Sequence, residues 1–207
     1  MSILYSRRDF GKLALSGLPL SVAAAGGSSL LAGINSKING VRIGAITYSF
    51  RSMPNAEDII KAMAQIGLSE AELMSGDAEK LAGIPALPNF GRGGGRGRGT
   101  PPTTEEQAEM QAAQAAQKEW RMSATAGTFR VAKKKFNDAG IEVRLLCYNM
   151  NVKSTTDEDI EYAFIMAKGL DVKAISTSTQ VSMAKRLAPF AEKHKLMVGF
   201  HGHSNVT

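Results

Sequence analysis

At Gly67-Leu68, Gly140-Ile141 and Gly169-Leu170 an amphipathic run stops at a glycine, and a short β-prone segment begins within a few residues. Glycine readily takes the left-handed conformation that closes a helix, and the aliphatic residue after it folds back onto the last turn. Each of these points therefore ends a helix and launches a strand. The apolar pattern agrees: Val41–Phe50, Ala71–Met74, Glu142–Tyr148, Val172–Thr177 and Met197–His203 read as strands. Between them, Ile59, Ile60, Met63 and Ile66 mark a helix capped by Asn55, and Phe129, Ala132 and Phe136 mark another over Thr128–Ala139. Ile160, Ala163, Phe164 and Ala167 mark a third, opened by a capping box of Thr155 and Glu158. A fourth covers Val181–Lys193, with Ala184, Leu187 and Ala191 inward and a kink expected at Pro189.

Strands that alternate with helices and read as apolar on both faces make a parallel sheet with crossover helices. In an open doubly wound sheet the first strand should lead into a phosphate-binding glycine loop. Here it leads into Thr47-Tyr48-Ser49-Phe50-Arg51-Ser52. The expected fold is an α/β, parallel (β/α) barrel of TIM type, incomplete, with about five of eight strands, because a closed barrel takes roughly 250 residues and this chain has 207. Open edges on the first and fifth strands predict pairing with another chain, which includes homo-oligomers.

Ser6-Arg7-Arg8-Asp9-Phe10-Gly11-Lys12, followed by the apolar run Leu13–Ala25, reads as a twin-arginine export signal, with Ala23-Ala24-Ala25 as a cleavage site. The run is short and broken by Gly17 and Pro19, so no stable membrane span is expected after signal cleavage. Residues 1–32 are expected to be signal and linker, and residues 41–207 the barrel segment, working in the periplasm or another extracytoplasmic space. Part of the formal net charge of +6 lies in the signal. The mildly basic remainder gives no support for a nucleic-acid partner. Cys147 is the single cysteine, so no intrachain disulfide can form, and Leu145 and Leu146 beside it predict a buried thiol.

An insertion from Gly83 to Ser123 separates the second strand from the next core helix. Its Arg/Gly tract, Gly91–Gly99, lies between proline pairs and cannot form a core. Without interleaved aromatics the tract is a poor RNA-binding segment. Glu105–Trp120 reads as an Ala/Gln-rich helix capped by Thr103 or Thr104, with Trp120 as its large apolar anchor. A loop that follows a barrel strand lies on the catalytic face. There it is either a lid, with Arg92, Arg96 or Arg98 meeting a ligand, or an inert solvated loop.

His201-Gly202-His203 is the strongest candidate for chemistry. Residues two apart in a strand share a face, so both imidazoles can ligate one divalent metal at the C-terminal end of the fifth strand. Glu72 stands in an otherwise apolar second strand, where a carboxylate needs a partner: a metal, a substrate hydroxyl or a lysine. Tyr48 and Asn149, each at a strand end, can hydrogen-bond a polar ligand, and Lys153 follows in the next loop. His194, between Lys193 and Lys195, reads as a partner of its helix's C-terminal dipole.

Val41-Arg42-Ile43-Gly44-Ala45-Ile46-Thr47-Tyr48-Ser49-Phe50-Arg51, Ala71-Glu72-Leu73 and Leu196-Met197-Val198-Gly199-Phe200-His201-Gly202-His203 resemble the xylose isomerase-like TIM-barrel family of sugar phosphate isomerases and epimerases. With the twin-arginine signal and the Gly/Arg insertion, the chain resembles exported bacterial members, truncated at the C-terminus. The resemblance implies metal-assisted isomerisation or epimerisation of a small-molecule sugar or polyol, with a divalent ion (Mn, Mg, Co or Zn) expected only in a full-length protein. It implies Glu72 and His203 as catalytic residues, Tyr48 and Asn149 as substrate-binding residues, and His201 and His203 as metal ligands. His201 stands where similar epimerases carry a metal-binding glutamate. The family's remaining ligands and a further acid/base would come from strands six to eight. The rival reading is a non-catalytic exported carbohydrate-binding protein on a degenerate barrel scaffold.

Overall fold

The structure, a computed structural model, describes residues 34–90 and 102–202. The twin-arginine segment, the Arg/Gly tract and His203 lie outside the described residues. The first described element is a hairpin, β1 (Lys37–Ile38) paired antiparallel with β2 (Val41–Arg42). Its turn is Asn39-Gly40, with φ of 50° and 81°. That left-handed pair is the one an Asn-Gly hairpin favours. The expected single strand over Val41–Phe50 is therefore broken: β2 ends at Arg42, β3 is only Gly44–Ile46, and Thr47–Phe50 is a 3-10 turn.

After β3 come helix α1 (Ala56–Gln65), strand β4 (Glu70–Met74), helices α2 (Ser75–Ala82), α3 (Thr104–Ser123) and α4 (Ala126–Asp138), and strand β5 (Glu142–Cys147). Helix α5 (Asp157–Leu170), strand β6 (Ala174–Thr177), helix α6 (Ala184–His194) and strand β7 (Met197–Phe200) complete the order. Strands β3 to β7 form a parallel five-stranded sheet whose spatial order is the chain order. A doubly wound sheet reverses its strand order at a switch point; this one does not, which is the arrangement of consecutive strands in a TIM-type barrel.

The helix layer and the sheet face toward it make the core. Leu73, Leu146 and Ile175 from the strands pack with Met63, Phe129, Phe136, Ile160 and Phe164 from the helices, all essentially inaccessible to solvent. The opposite face does not match the expectation of strands apolar on both sides. It carries Glu70, Glu72 and Ser176, because strand alternation turns them away from Ala71, Leu73 and Ile175. A register shift at Ala71/Glu72 makes Arg144 the extra residue of β5, and its guanidinium joins Arg42 on the Glu70 carboxylate. These charges lie on the inner face toward the N-terminal ends of the strands.

Gly67 (φ 79°) and Gly140 (φ 75°) close α1 and α4 as the sequence predicts, with Leu68 N–H donating to the Met63 carbonyl and Ile141 N–H to that of Phe136. Gly169 does something else. It lies inside α5, and the left-handed residue there is Asp171 (φ 55°). A Cβ at Gly169 would stand 2.3 Å from the Ala126 carbonyl oxygen, so glycine is what lets α4 and α5 touch. The capping box of α5 is likewise one residue later than expected, on Thr156 and Asp159, while Thr155 accepts from Asn151 N–H.

The inserted helix α3 is anchored, with the Thr103–Glu106 capping box at its start. Near its end Arg121 clamps Glu79 through Nε (2.7 Å) and Nη2 (3.0 Å), and Trp120 packs edge-on against Phe129 at 6.0 Å. Among the described residues no helix is long and apolar enough to cross a membrane.

Candidate functional site

Glu72 is the carboxylate most favourably placed for chemistry. It projects from β4 into an inner-face cleft of about 440 Å³ that Ile46, Glu70, Arg144 and Leu145 also line. Its Oε1 accepts a hydrogen bond from Ser176 Oγ on β6, two strands away. The expected partner was a metal, a substrate hydroxyl or a lysine; a protein hydroxyl fills part of that need and leaves Oε2 for other work. Cys147, on the strand between them, is buried as expected, and burial pushes its thiol up, against the pull of a hydrogen bond to Ser176. A thiol so held is a packing group, not a nucleophile. At the N-terminal end of the cleft burial also pushes the Glu70 carboxyl up, opposed by Arg42.

A second cleft, of about 270 Å³, opens where β4 and β5 end. Glu79 from α2, Arg121 from α3, Asp159 from α5, and Tyr148 and Asn149 just past β5 line it. Glu79 is the hub: besides the Arg121 fork it accepts from Tyr162 Oη at 2.9 Å. Burial, then the Glu79 charge, pushes the Tyr162 hydroxyl far above the ordinary tyrosine range, so it stays protonated and donates. Tyr148 is pushed up to about 12, chiefly by burial and next by Asp159.

The residues singled out in the sequence separate in space. Glu72 lines the inner cleft and Asn149 the mouth cleft. Asn149 Oδ1 accepts from Ser178 N–H (3.1 Å) and meets Cys147 Sγ at 3.8 Å, tying the loops after β5 and β6 together. Tyr48 stands 54% exposed on the 3-10 turn, with the Arg51 guanidinium 4.8 Å above its ring, and lines neither cleft. His201 is exposed just past β7, its N–H on the Thr177 carbonyl at 2.9 Å. Alternation from Gly199, the register partner of Ser176, puts it on the Glu72 face. Lys153 N–H donates to Asn151 Oδ1 in a turn. His194 is buried; it meets Glu161 at 2.9 Å and stacks on Phe164 at 5.1 Å.

A metal is the cofactor the resemblance implies. The inner face offers two carboxylates, Glu72 and the Glu70 that Arg42 and Arg144 already hold, and one imidazole, His201, and no group of three or more His, Cys, Asp or Glu side chains that could hold a metal stands together among the described residues. Divalent sites of this kind use at least three protein donors, so the described residues do not complete one.

Ser176, Glu79 and Arg121 escaped the sequence reading. Ser176 had a signal, since it is a polar residue at the inner-face position of an apolar strand. Glu79 and Arg121 had none, because their pairing spans 42 residues and an insertion.

The fold and these clefts define a parallel α/β protein of barrel type with a polar inner face. No protein-family model matches the chain, and neither does any curated protein. Among the solved structures similar to it are two at low identity. One, an uncharacterized protein from Parabacteroides distasonis ATCC 8503, is 13% identical with a TM-score of 0.47, over 78% of this chain and 53% of that one. The other, the probable 3-DHS dehydratase AsbF involved in petrobactin synthesis from Bacillus anthracis, is 14% identical with a TM-score of 0.49, over 80% and 54%. The chain thus spans about half the length of both.

Proposed function

We propose that this chain belongs to an exported sugar isomerase or epimerase that moves a proton between neighbouring carbons of a sugar or polyol. The observation that supports this reading best is the Glu72 carboxylate, held by Ser176 on the polar inner face of a barrel-type sheet and open to a cleft. In this reading Glu72 takes the proton from the carbon next to the substrate carbonyl. The electron pair of that C–H bond moves into the carbonyl, giving an enediolate, and the proton returns to the neighbouring carbon or to the opposite face. Ser176 is the positioning residue, since its hydroxyl fixes the carboxylate and steadies its charge. His201 and His203 are the residues that would hold a divalent ion in a full-length protein, and such an ion would supply polarisation of a carbonyl oxygen.

Solvent exchange tests the proposal. The full chain is incubated in D2O with aldose and ketose sugars, and deuterium at the carbon next to the carbonyl is followed by NMR. Exchange is expected, falling by about a hundredfold or more in Glu72→Gln. Absence of exchange, or exchange that survives the substitution with circular dichroism unchanged, overturns the acid/base assignment. Sugar binding without exchange assigns the chain to the carbohydrate-binding class. Metal content of a full-length form checks the ligands: His201→Ala with His203→Ala is expected to remove its bound divalent ion, and unchanged content rejects both.

A further inference from the structure

The β1–β2 hairpin turns on Asn39-Gly40, and Asn39 is the only one of the chain's eight asparagines that a glycine follows. The side-chain carbonyl carbon of such an asparagine is open to attack by the next residue's backbone nitrogen, because glycine has no side chain to block the approach. Both residues are exposed, and a Cβ at Gly40 would meet nothing within 4 Å. The Asn39 amide makes no hydrogen bond to the described residues. In the left-handed conformation of this turn (φ 50° at Asn39) the side chain and the next nitrogen point apart, so ring closure waits for the turn to open. Little holds it shut. The hairpin is a separate sheet of two residue pairs, too short to be stable alone, and its Ile38 and Val41 are 63% and 62% exposed.

The hairpin in turn backs one end of the inner cleft. Ser36, just before β1, and Ser69, just before β4, clasp each other: the N–H of each donates to the hydroxyl oxygen of the other, at 3.1 and 3.0 Å. Ile43 N–H donates to the Ser36 carbonyl at 2.9 Å. Arg42, the register partner of Lys37, lines the cleft and donates to Glu70 Oε1 at 2.8 Å. We propose that Asn39 is a site of spontaneous deamidation, and that its isoaspartyl product unfastens β1 from the strand that carries Arg42. The Gly40 nitrogen bonds to Asn39 Cγ, the Cγ–Nδ2 bond breaks, and ammonia leaves with the proton of the Gly40 nitrogen. Water then opens the cyclic imide at one of its two carbonyls, giving aspartate or isoaspartate. Aspartate leaves the backbone as it was, and Asp-Gly suits the same turn. Isoaspartate routes the chain through Cβ and adds a backbone atom, so the two-residue turn no longer joins Ile38 and Val41 in register. This site does not depend on the acid/base role of Glu72.

The test keeps the full, folded chain in mildly alkaline buffer. Peptide mapping follows deamidation at every asparagine, and labelling by an isoaspartate methyltransferase identifies the rearranged product. Asn39 is expected to convert about tenfold faster than any of the other seven, none of which precedes a glycine. Hydrogen exchange then reads the hairpin. The Ile43 amide is expected to exchange about tenfold faster in the isoaspartyl form, through loss of its bond to Ser36. Freshly prepared Asn39→Asp carries the new charge on an unaltered backbone and is expected to keep the parent's protection, which separates backbone rerouting from charge. Conversion at Asn39 no faster than at the other asparagines overturns the site. Parent-like protection in the isoaspartyl form, or an equal loss in Asn39→Asp, overturns the unfastening.

Discussion

Glu161 shows what one side chain contributes and when. Its Oε1 lies 2.8 Å from Lys193 Nζ and 2.9 Å from His194 Nε2, linking α5 to the end of α6. The hydrogen bond from Lys193, and after it that from His194, holds the carboxyl below its ordinary value. A lowered folded value means that the stabilisation is complete above the unfolded carboxylate value of about 4.3 and is lost as pH falls through the folded one. Glu161→Gln is therefore expected to cost up to about 1 kcal/mol at neutral pH, limited by the exposure of Lys193. Thermal melts should show the gap to the parent closing as the pH is taken down into the acid range; a gap independent of pH rules the linkage out. His194 shows the limit of local reading. Beside two lysines it looks like a dipole partner, yet it is buried on Phe164 and Glu161.

Helix ends were the most legible elements, because a cap is written within a few residues of itself. Gly67 and Gly140 behave as their sequence patterns imply, and of the two cap candidates Thr103 and Thr104 it is Thr103 that caps α3, in a box with Glu106. Asn39-Gly40 was equally legible as a hairpin turn, but the β-prone run after it absorbed the signal into one long strand. Gly169 looks the same in sequence and differs in cause, since its contact partner, Ala126, lies on another helix. The two roles separate on substitution. Gly169→Ala must push α4 and α5 apart and is expected to cost about 1–3 kcal/mol. Gly67→Ala meets nothing within 4 Å, so it carries only the left-handed backbone penalty, about 1 kcal/mol. Urea denaturation of the two variants measures the difference; equal costs would remove the close-packing account of Gly169.

At the scale of the whole molecule, Phe129 joins what the insertion separates. It is fully buried on α4, edge-on to Trp120 of α3 at 6.0 Å and to Tyr162 of α5 at 5.8 Å. Phe129→Ala is expected to cost about 3–5 kcal/mol and to shift Trp120 emission to the red, since the indole loses its apolar neighbour. Unchanged emission with full loss of stability would mean that α3 does not depend on this contact. The insertion itself was half legible: a threonine cap at Thr103 or Thr104 and Trp120 as its anchor follow from residue type, whereas the choice of Thr103 and the Arg121–Glu79 clamp do not.

Apolar periodicity and caps act over one or two turns, so the order of residues suffices for the alternation of strand and helix, the parallel sheet and the residues buried between sheet and helices. It also marked Glu72 as a carboxylate in need of a partner. That the partner is Ser176, 104 residues away, and that Asn149 lines a different cleft from Glu72 emerge from the folded arrangement alone. Those pairings depend on strand order, register and a one-residue bulge, which place side chains from distant segments within hydrogen-bond reach. No local pattern encodes that reach.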